Sequence, residues 1–184
     1  LKSNKFKNKT ILSVGEIKPR KGYHLLIEVL NIINNKFKKN YDLIIIGKSS
    51  NQNYIIKLKN TVKKYKLEKN VKFQTNVNER KIQNFFIKSN IFVLLSKKIG
   101  NFFEGFGIVY LEALHYGLPI IVSKESGAKD LSRINKKILV VKPDNLNFIS
   151  KKIIEIISAN KKNYMKLGNI ILKNHFQFNK NKFK

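Results

Sequence analysis

Short apolar runs alternate along the chain with longer stretches in which apolar residues recur every three or four positions. Residues 10–14 (TILSV), 41–47 (YDLIIIG), 70–75 (NVKFQT), 91–96 (IFVLLS), 119–123 (PIIVS) and 138–142 (ILVVK) read as strands. Most of them lack the in–out alternation of a strand with one wet face, so they read as buried on both sides. Between them, residues 22–37 carry Leu25, Leu26, Val29, Ile32 and Ile33 at helical spacing. Residues 53–67, 78–89, 105–117, 145–158 and 163–176 read as further helices, the one over 105–117 closed by Gly117.

Buried strands alternating with helices imply a parallel sheet covered on both faces: an α/β, doubly wound, Rossmann-like domain. Such sheets bind ligands beyond the carboxyl ends of their strands. Functional residues are therefore expected just after Val14, Gly47, Thr75, Ser96 and Ser123. No internal repeat is visible. The one irregular stretch is the loop at residues 97–103 (KKIGNFF).

The chain has 184 residues, enough for one domain, with 38 Lys+Arg against 11 Asp+Glu and a formal charge of +27. Such a charge suggests nucleic acid or an anionic membrane. Yet Arg20, Arg80 and Arg133 are the only arginines, and lysines occur throughout beside many asparagines and isoleucines. That is a compositional bias of the whole chain, not a patch shaped for one partner. Base-reading surfaces favour arginine and exposed aromatics, so nucleic acid is the less favoured partner and weak attraction to anionic lipid the more favoured. Cysteine is absent, which excludes disulfides and thiolate metal sites and fits a reducing compartment. No apolar run approaches a membrane span and no signal peptide shows. The expected location is cytoplasmic, with possible peripheral contact at the membrane face. The chain begins at Leu1 rather than Met, and preceding residues are expected.

Several chemistries can be set aside. Gly47-Lys48-Ser49 resembles the end of a Walker A loop, but Asp42 stands where the motif needs its first glycine, and Leu43–Ile46 is strand. Lys48 reads as a surface lysine. The first loop (GEIKPRKG) does not fit G-x-G-x-x-G, and no G-x-S-x-G elbow exists. His24, His115 and His175 lack metal-ligand spacing, and no D-x-D pair is present, so neither metal nor cofactor is expected.

Residues 104–123 (EGFGIVYLEALHYGLPIIVS) contain two of the chain's 11 acids, Glu104 and Glu112, and no lysine. Glu104 could be a helix-start acid and Glu112 an exposed polar residue. A stretch spared by the lysine bias answers to another demand, however. Gly105 and Gly107 at a helix start let a ligand approach free backbone N–H groups, an arrangement suited to phosphate. Carboxylates accept hydrogen bonds from vicinal diols. Phosphate plus diol describes a nucleotide-sugar. The first loop fits the same picture. Gly15 permits a turn, Pro19 stiffens it, and Arg20 and Lys21 stand near a helix N-terminus where they can face a diphosphate. The plain alternative is two more basic residues in a basic chain.

These segments resemble the glycosyl transferases group 1, specifically the retaining family 4. Glu104 and Glu112 fall as in its E-x7-E segment, in a G-F-G context followed by G-x-P and a strand. Residues 11–30 resemble its first strand, phosphate loop and helix, and the remaining strands follow in order. The resemblance implies the C-terminal, donor-binding half of a GT-B fold. It assigns residues 1–174 to the donor domain and 175–184 to a truncated tail, with the N-terminal acceptor domain absent from the chain. It further implies Glu112 on the ribose hydroxyls, Glu104 on the donor sugar, and the amides of Phe106, Gly107 and Ile108 on sugar or diphosphate. Lys21 would neutralise the diphosphate with Arg20, Gly15 would line the loop, and the segment from Thr75 to Val77 would meet the base. Glu16 departs from the arginine often found after the first-loop glycine, and the usual glycine after the third strand is replaced within Gln74-Thr75-Asn76.

The resulting expectation is a retaining hexosyltransferase domain that takes a nucleoside-diphosphate sugar and serves an unidentified acceptor. A non-catalytic nucleotide-sugar-binding module, with Glu16 as its best support, and a GT-B-type epimerase stay open. The base, the sugar, the acceptor and the oligomeric state are not legible here.

Overall fold

The computed structural model describes residues 6–100, 107–134 and 138–159. The strands are β1 (Lys9–Val14), β2 (Tyr41–Ile46), β3 (Val71–Gln74), β4 (Ile91–Leu94), β5 (Ile120–Ser123) and β6 (Leu139–Val141). They form one parallel sheet in the order β3-β2-β1-β4-β5-β6. The apolar runs supply its centre: Leu43 to Ile46, Ile91 to Leu95 and Ile120 to Val122 are all buried. Each such side chain contributes roughly 1.5–3 kcal/mol by leaving water.

The helices are α1 (Tyr23–Asn31), α2 (Gln52–Lys64), α3 (Glu79–Lys88), α4 (Ile108–His115), α5 (Leu131–Ile134) and α6 (Leu146–Ser158). α1 packs against α2 and α6 on one face, while α3 meets β1 and α4 meets β5 on the other. That division follows from right-handed crossovers in a sheet whose strand order reverses between β1 and β4. Asn51, Asn78 and Asn145 cap α2, α3 and α6 by accepting from the backbone N–H of Tyr54, Lys81 and Phe148. Buried Ser150 of α6 donates to Val29 O of α1 at 3.3 Å, tying the two helices.

Asparagine side chains fasten the amino ends of the strands. Asn34 bonds both backbone groups of Tyr41, at 2.9 and 3.0 Å. Asn70 donates to Tyr41 O, Asn40 and Asp42, Asn8 donates to Asp42, and Asn90 accepts from Thr10 N at 2.9 Å.

The structure refines three expectations. The first helix ends in a π-helical turn, Ile32–Lys36. The fourth begins at Ile108, not Gly105: Gly107 has φ +64° and ψ 108°, outside the helical region. A 3-10 turn (Gly127–Asp130) leading into α5 follows β5, where no helix was expected. The expected helix at 163–176 and the tail at 175–184 lie outside the described residues.

Candidate functional site

The strand order reverses between β1 and β4, the place where a doubly wound sheet takes its ligand. The loop after β1 is bonded on several sides. Gly15 N donates to Ile46 O at 2.9 Å and Ile17 N to Lys48 O at 2.8 Å, which extends the β1–β2 pairing past both strand ends. Ser49 Oγ donates to Ile17 O, and Ile17 itself is fully buried. Pro19–Lys21 then forms one 3-10 turn, closed by Gly22 in the left-handed conformation at φ +70°. Lys97 N, beyond β4, donates to Arg20 O at 2.8 Å.

Two glycines make this close approach possible. A Cβ at Gly47 would stand 2.0 Å from Gly15 O, and one at Gly22 would stand 2.1 Å from Leu95 O. Both are backbone collisions, so the loop rests on the sheet end at a distance only glycine permits. Sequence reasoning missed this. In the sequence Gly47 reads as a strand end and part of a false Walker motif, and Gly22 as the end of the first loop and a helix start.

Lys21 is buried, unlike an ordinary lysine. Its side chain crosses Gly15: a Cβ added there would lie 3.4 Å from Lys21 Nζ and 3.3 Å from Tyr23 Oη. The structure thus brings together Gly15 and Lys21, two residues that the sequence reading paired, with Arg20 half-buried beside them. Glu16 is exposed and turned aside. Lys18 pairs with its carboxylate and Ser50 donates to it at 2.9 Å. Those bonds, the Lys18 bond first, hold its pKa below the ordinary value.

Beyond β3, Asn76 adopts φ +53°, and Asn is one of the few residues with a side chain that tolerates it. It therefore keeps the turn that a glycine would make. Val77 packs against the core just before Asn78 caps α3. Beyond β4, Lys97 Nζ donates to Asp144 at 2.8 Å, and Lys98 N donates to Glu125 Oε2 at 2.9 Å. The Asp144 bond raises the Lys97 pKa. A shallow hollow of about 400 Å³ lies at the β5–β6 edge, lined by residues such as Lys124, Lys142 and Asn145. Its wall includes Asp144 and Glu125, which bond Lys97 Nζ and Lys98 N, and Lys97 N in turn bonds Arg20 O.

On α4, Tyr110 packs edge-on against Phe92 of β4, and Tyr116 stacks on Phe86 of α3 at 5.5 Å. These contacts fix the helix, leaving Ile108 77% exposed at its start and Glu112 exposed. The Tyr116 pKa is raised by burial first, then by the charges of Glu112 and Glu79. Glu104 and Phe106 lie outside the described residues. No three His, Asp or Glu side chains gather into a metal-holding group among the described residues. No helix among them is long and apolar enough to cross a membrane.

Residues 2–172 match the family model described as glycosyl transferases group 1. A curated relative, an uncharacterized glycosyltransferase of Haemophilus influenzae, is 33% identical over 128 residues, covering 69% of this chain and 33% of the relative. The chain spans a third or less of the curated relatives it matches. Among solved structures, Anabaena Alr3699/HepE in complex with UDP and glucose superposes with a TM-score of 0.74 at 21% identity, over 89% of this chain and 43% of that one. The C-terminal domain of a glycosyl transferase group 1 family protein (LpcC) from Francisella tularensis gives 0.71 at 24% identity, over 87% and 80%. These two likenesses establish the fold.

Proposed function

The chain belongs to the glycosyl transferases group 1 and has the Rossmann-like fold of the C-terminal half of a GT-B enzyme, and on that premise we propose that it binds a nucleoside-diphosphate sugar. The observation that carries the reading is Lys21. A buried ammonium is held over a glycine at the strand-order switch, where a doubly wound sheet takes its ligand. Its charge and that of Arg20 oppose the diphosphate. The exposed Glu112 carboxylate is assigned to the ribose hydroxyls and Glu104 to the donor sugar. The amides at Phe106, Gly107 and Ile108 are assigned to sugar or phosphate, and the turn at Asn76 and Val77 to the base. Alr3699/HepE, whose complexes contain UDP and UDP-glucose, supports this donor class.

In the transfer step the bond from the anomeric carbon to the diphosphate oxygen breaks, the acceptor oxygen bonds to that carbon, and the acceptor hydroxyl's proton passes to the departing diphosphate. Lys21, Arg20 and helix-terminal N–H groups stabilise the charge growing on the leaving diphosphate, so the step requires no metal. Attack on the face that the diphosphate leaves gives retention, the outcome implied by the family 4 resemblance. Acceptor contacts are assigned to a separate N-terminal domain, so this chain alone should transfer sugar poorly. Glu16 does not oppose the reading, because its charge is taken up by Lys18 and Ser50 rather than presented to the loop centre.

Calorimetric titration with UDP, GDP and ADP tests the proposal. One diphosphate should bind preferentially, and Lys21→Ala and Glu112→Ala should each weaken it about tenfold or more, as expected for a charge-assisted contact. If no diphosphate binds better than inorganic phosphate, or both variants bind like the parent, the site is a remnant.

A further inference from the structure

Tyr23 is fully buried at the first position of α1, where the sequence gives no reason for a phenol over an aliphatic residue. Its hydroxyl donates to Gly15 O at 2.7 Å. Gly15 is the residue over which Lys21 lies, and Tyr23 Oη and Lys21 Nζ converge on the same point above its Cα. Gly15 also has φ +150°, a value side chains rarely adopt, and Gly47 presses on its carbonyl oxygen from below. The Gly15 peptide is therefore gripped through its N–H by Ile46 O and through its carbonyl by Tyr23, with a glycine packed against it.

A phenol that donates its one proton to a carbonyl has only lone pairs left to offer. Such an oxygen suits an ammonium neighbour and repels a phosphate oxygen. Tyr23 is thus poorly suited to touch a diphosphate and well suited to hold the group that does.

Resting on the donor-site reading, we infer that Tyr23 is a positioning residue: its hydroxyl locks the Gly15 peptide and seats the Lys21 ammonium for the diphosphate. Lysine loses much rotamer freedom when it is ordered. A site that orders it before the ligand arrives does not bear that cost on binding.

The test is a double-mutant cycle on the full 184-residue chain. Titrations use UDP, GDP, ADP and inorganic pyrophosphate, with thermal melts alongside. Tyr23→Phe should weaken the preferred nucleoside diphosphate and pyrophosphate about tenfold, the scale of one lost hydrogen bond near a charge. In a Lys21→Ala background the same change should add nothing, because there is no ammonium left to seat. A merely structural hydroxyl would instead lower melting temperature and affinity alike in both backgrounds. Tyr23→Leu, run in the same two backgrounds, provides a second arm should the Phe chain fail to fold. If binding depends on Lys21 but is indifferent to Tyr23, or if both backgrounds lose equally, the inference falls and the donor site stands. If the unsubstituted chain binds no diphosphate, the donor-site reading fails and Tyr23 with it.

Discussion

Gly22→Ala probes the contact that sets the phosphate loop against the sheet. Gly22 sits at φ +70°, and an L-residue there costs about 1–2 kcal/mol before any contact is considered. The new Cβ would also stand 2.1 Å from Leu95 O and 2.8 Å from Leu95 C. Restoring an ordinary contact of 3.4 Å needs a separation of about 1.3 Å. Both partners are backbone, one at the start of α1 and the other just beyond β4, so no side chain can rotate away. Overpacking of that kind costs about 1–3 kcal/mol more, for a total of roughly 2–5 kcal/mol. That is a large part of the 5–15 kcal/mol typical of a whole domain. Gly100→Ala is the matched control. Gly100 has φ +57° with nothing among the described residues within 4 Å of an added Cβ, so it should lose only the conformational 1–2 kcal/mol. Urea unfolding followed by circular dichroism at 222 nm gives both losses. Equal losses in the two variants, or a Gly22→Ala midpoint matching the parent, would refute the close-packing argument.

Two further outcomes follow from the same geometry. Asn51→Ala removes the cap bond to Tyr54 N at 2.9 Å and should cost about 1 kcal/mol, lowering the melting temperature by roughly 2–4 °C without changing nucleotide affinity. Burial, then the charges of Lys57 and Lys97, hold the His24 pKa below 6.5 against the opposing pull of Asp144. The unfolded chain therefore protonates first. Stability is complete above pH 6.5 and declines as pH falls through the folded pKa, so urea midpoints from pH 7.5 to 5.5 should drop less steeply in His24→Gln.

The strands were legible because a sheet covered on both faces demands uninterrupted apolar runs, and Leu43–Ile46 can be little else. Helix existence was legible and helix ends were not. Nothing in the apolar spacing of residues 22–37 marks where the α-helix widens into the π turn bearing Asn34. The 3-10 turn and α5 lack an apolar stripe and escaped notice. At the site, residue type misled in a specific way. In a chain so rich in lysine, Lys21 is known only by its neighbours, and its burial depends on the missing side chain of Gly15. Glu16 reads in the sequence as a departure from a phosphate loop, and only the fold shows Lys18 and Ser50 engaging its carboxylate. Tyr23 carries no mark of its own in the sequence, because a hydrogen bond to a backbone carbonyl eight residues earlier has no sequence signature.

The asparagine fasteners sit at the amino ends of the strands, and every candidate ligand contact sits beyond the carboxyl ends. Evolution, or an engineer, can thus exchange the segment around Asn76 for a relative's without disturbing Asn34, Asn70 or Asn90. The loop from Gly15 to Gly22 is less portable. It must travel with Gly47, Leu95 and Tyr23, so the transferable module is a discontinuous set of residues from three elements rather than a continuous stretch of chain.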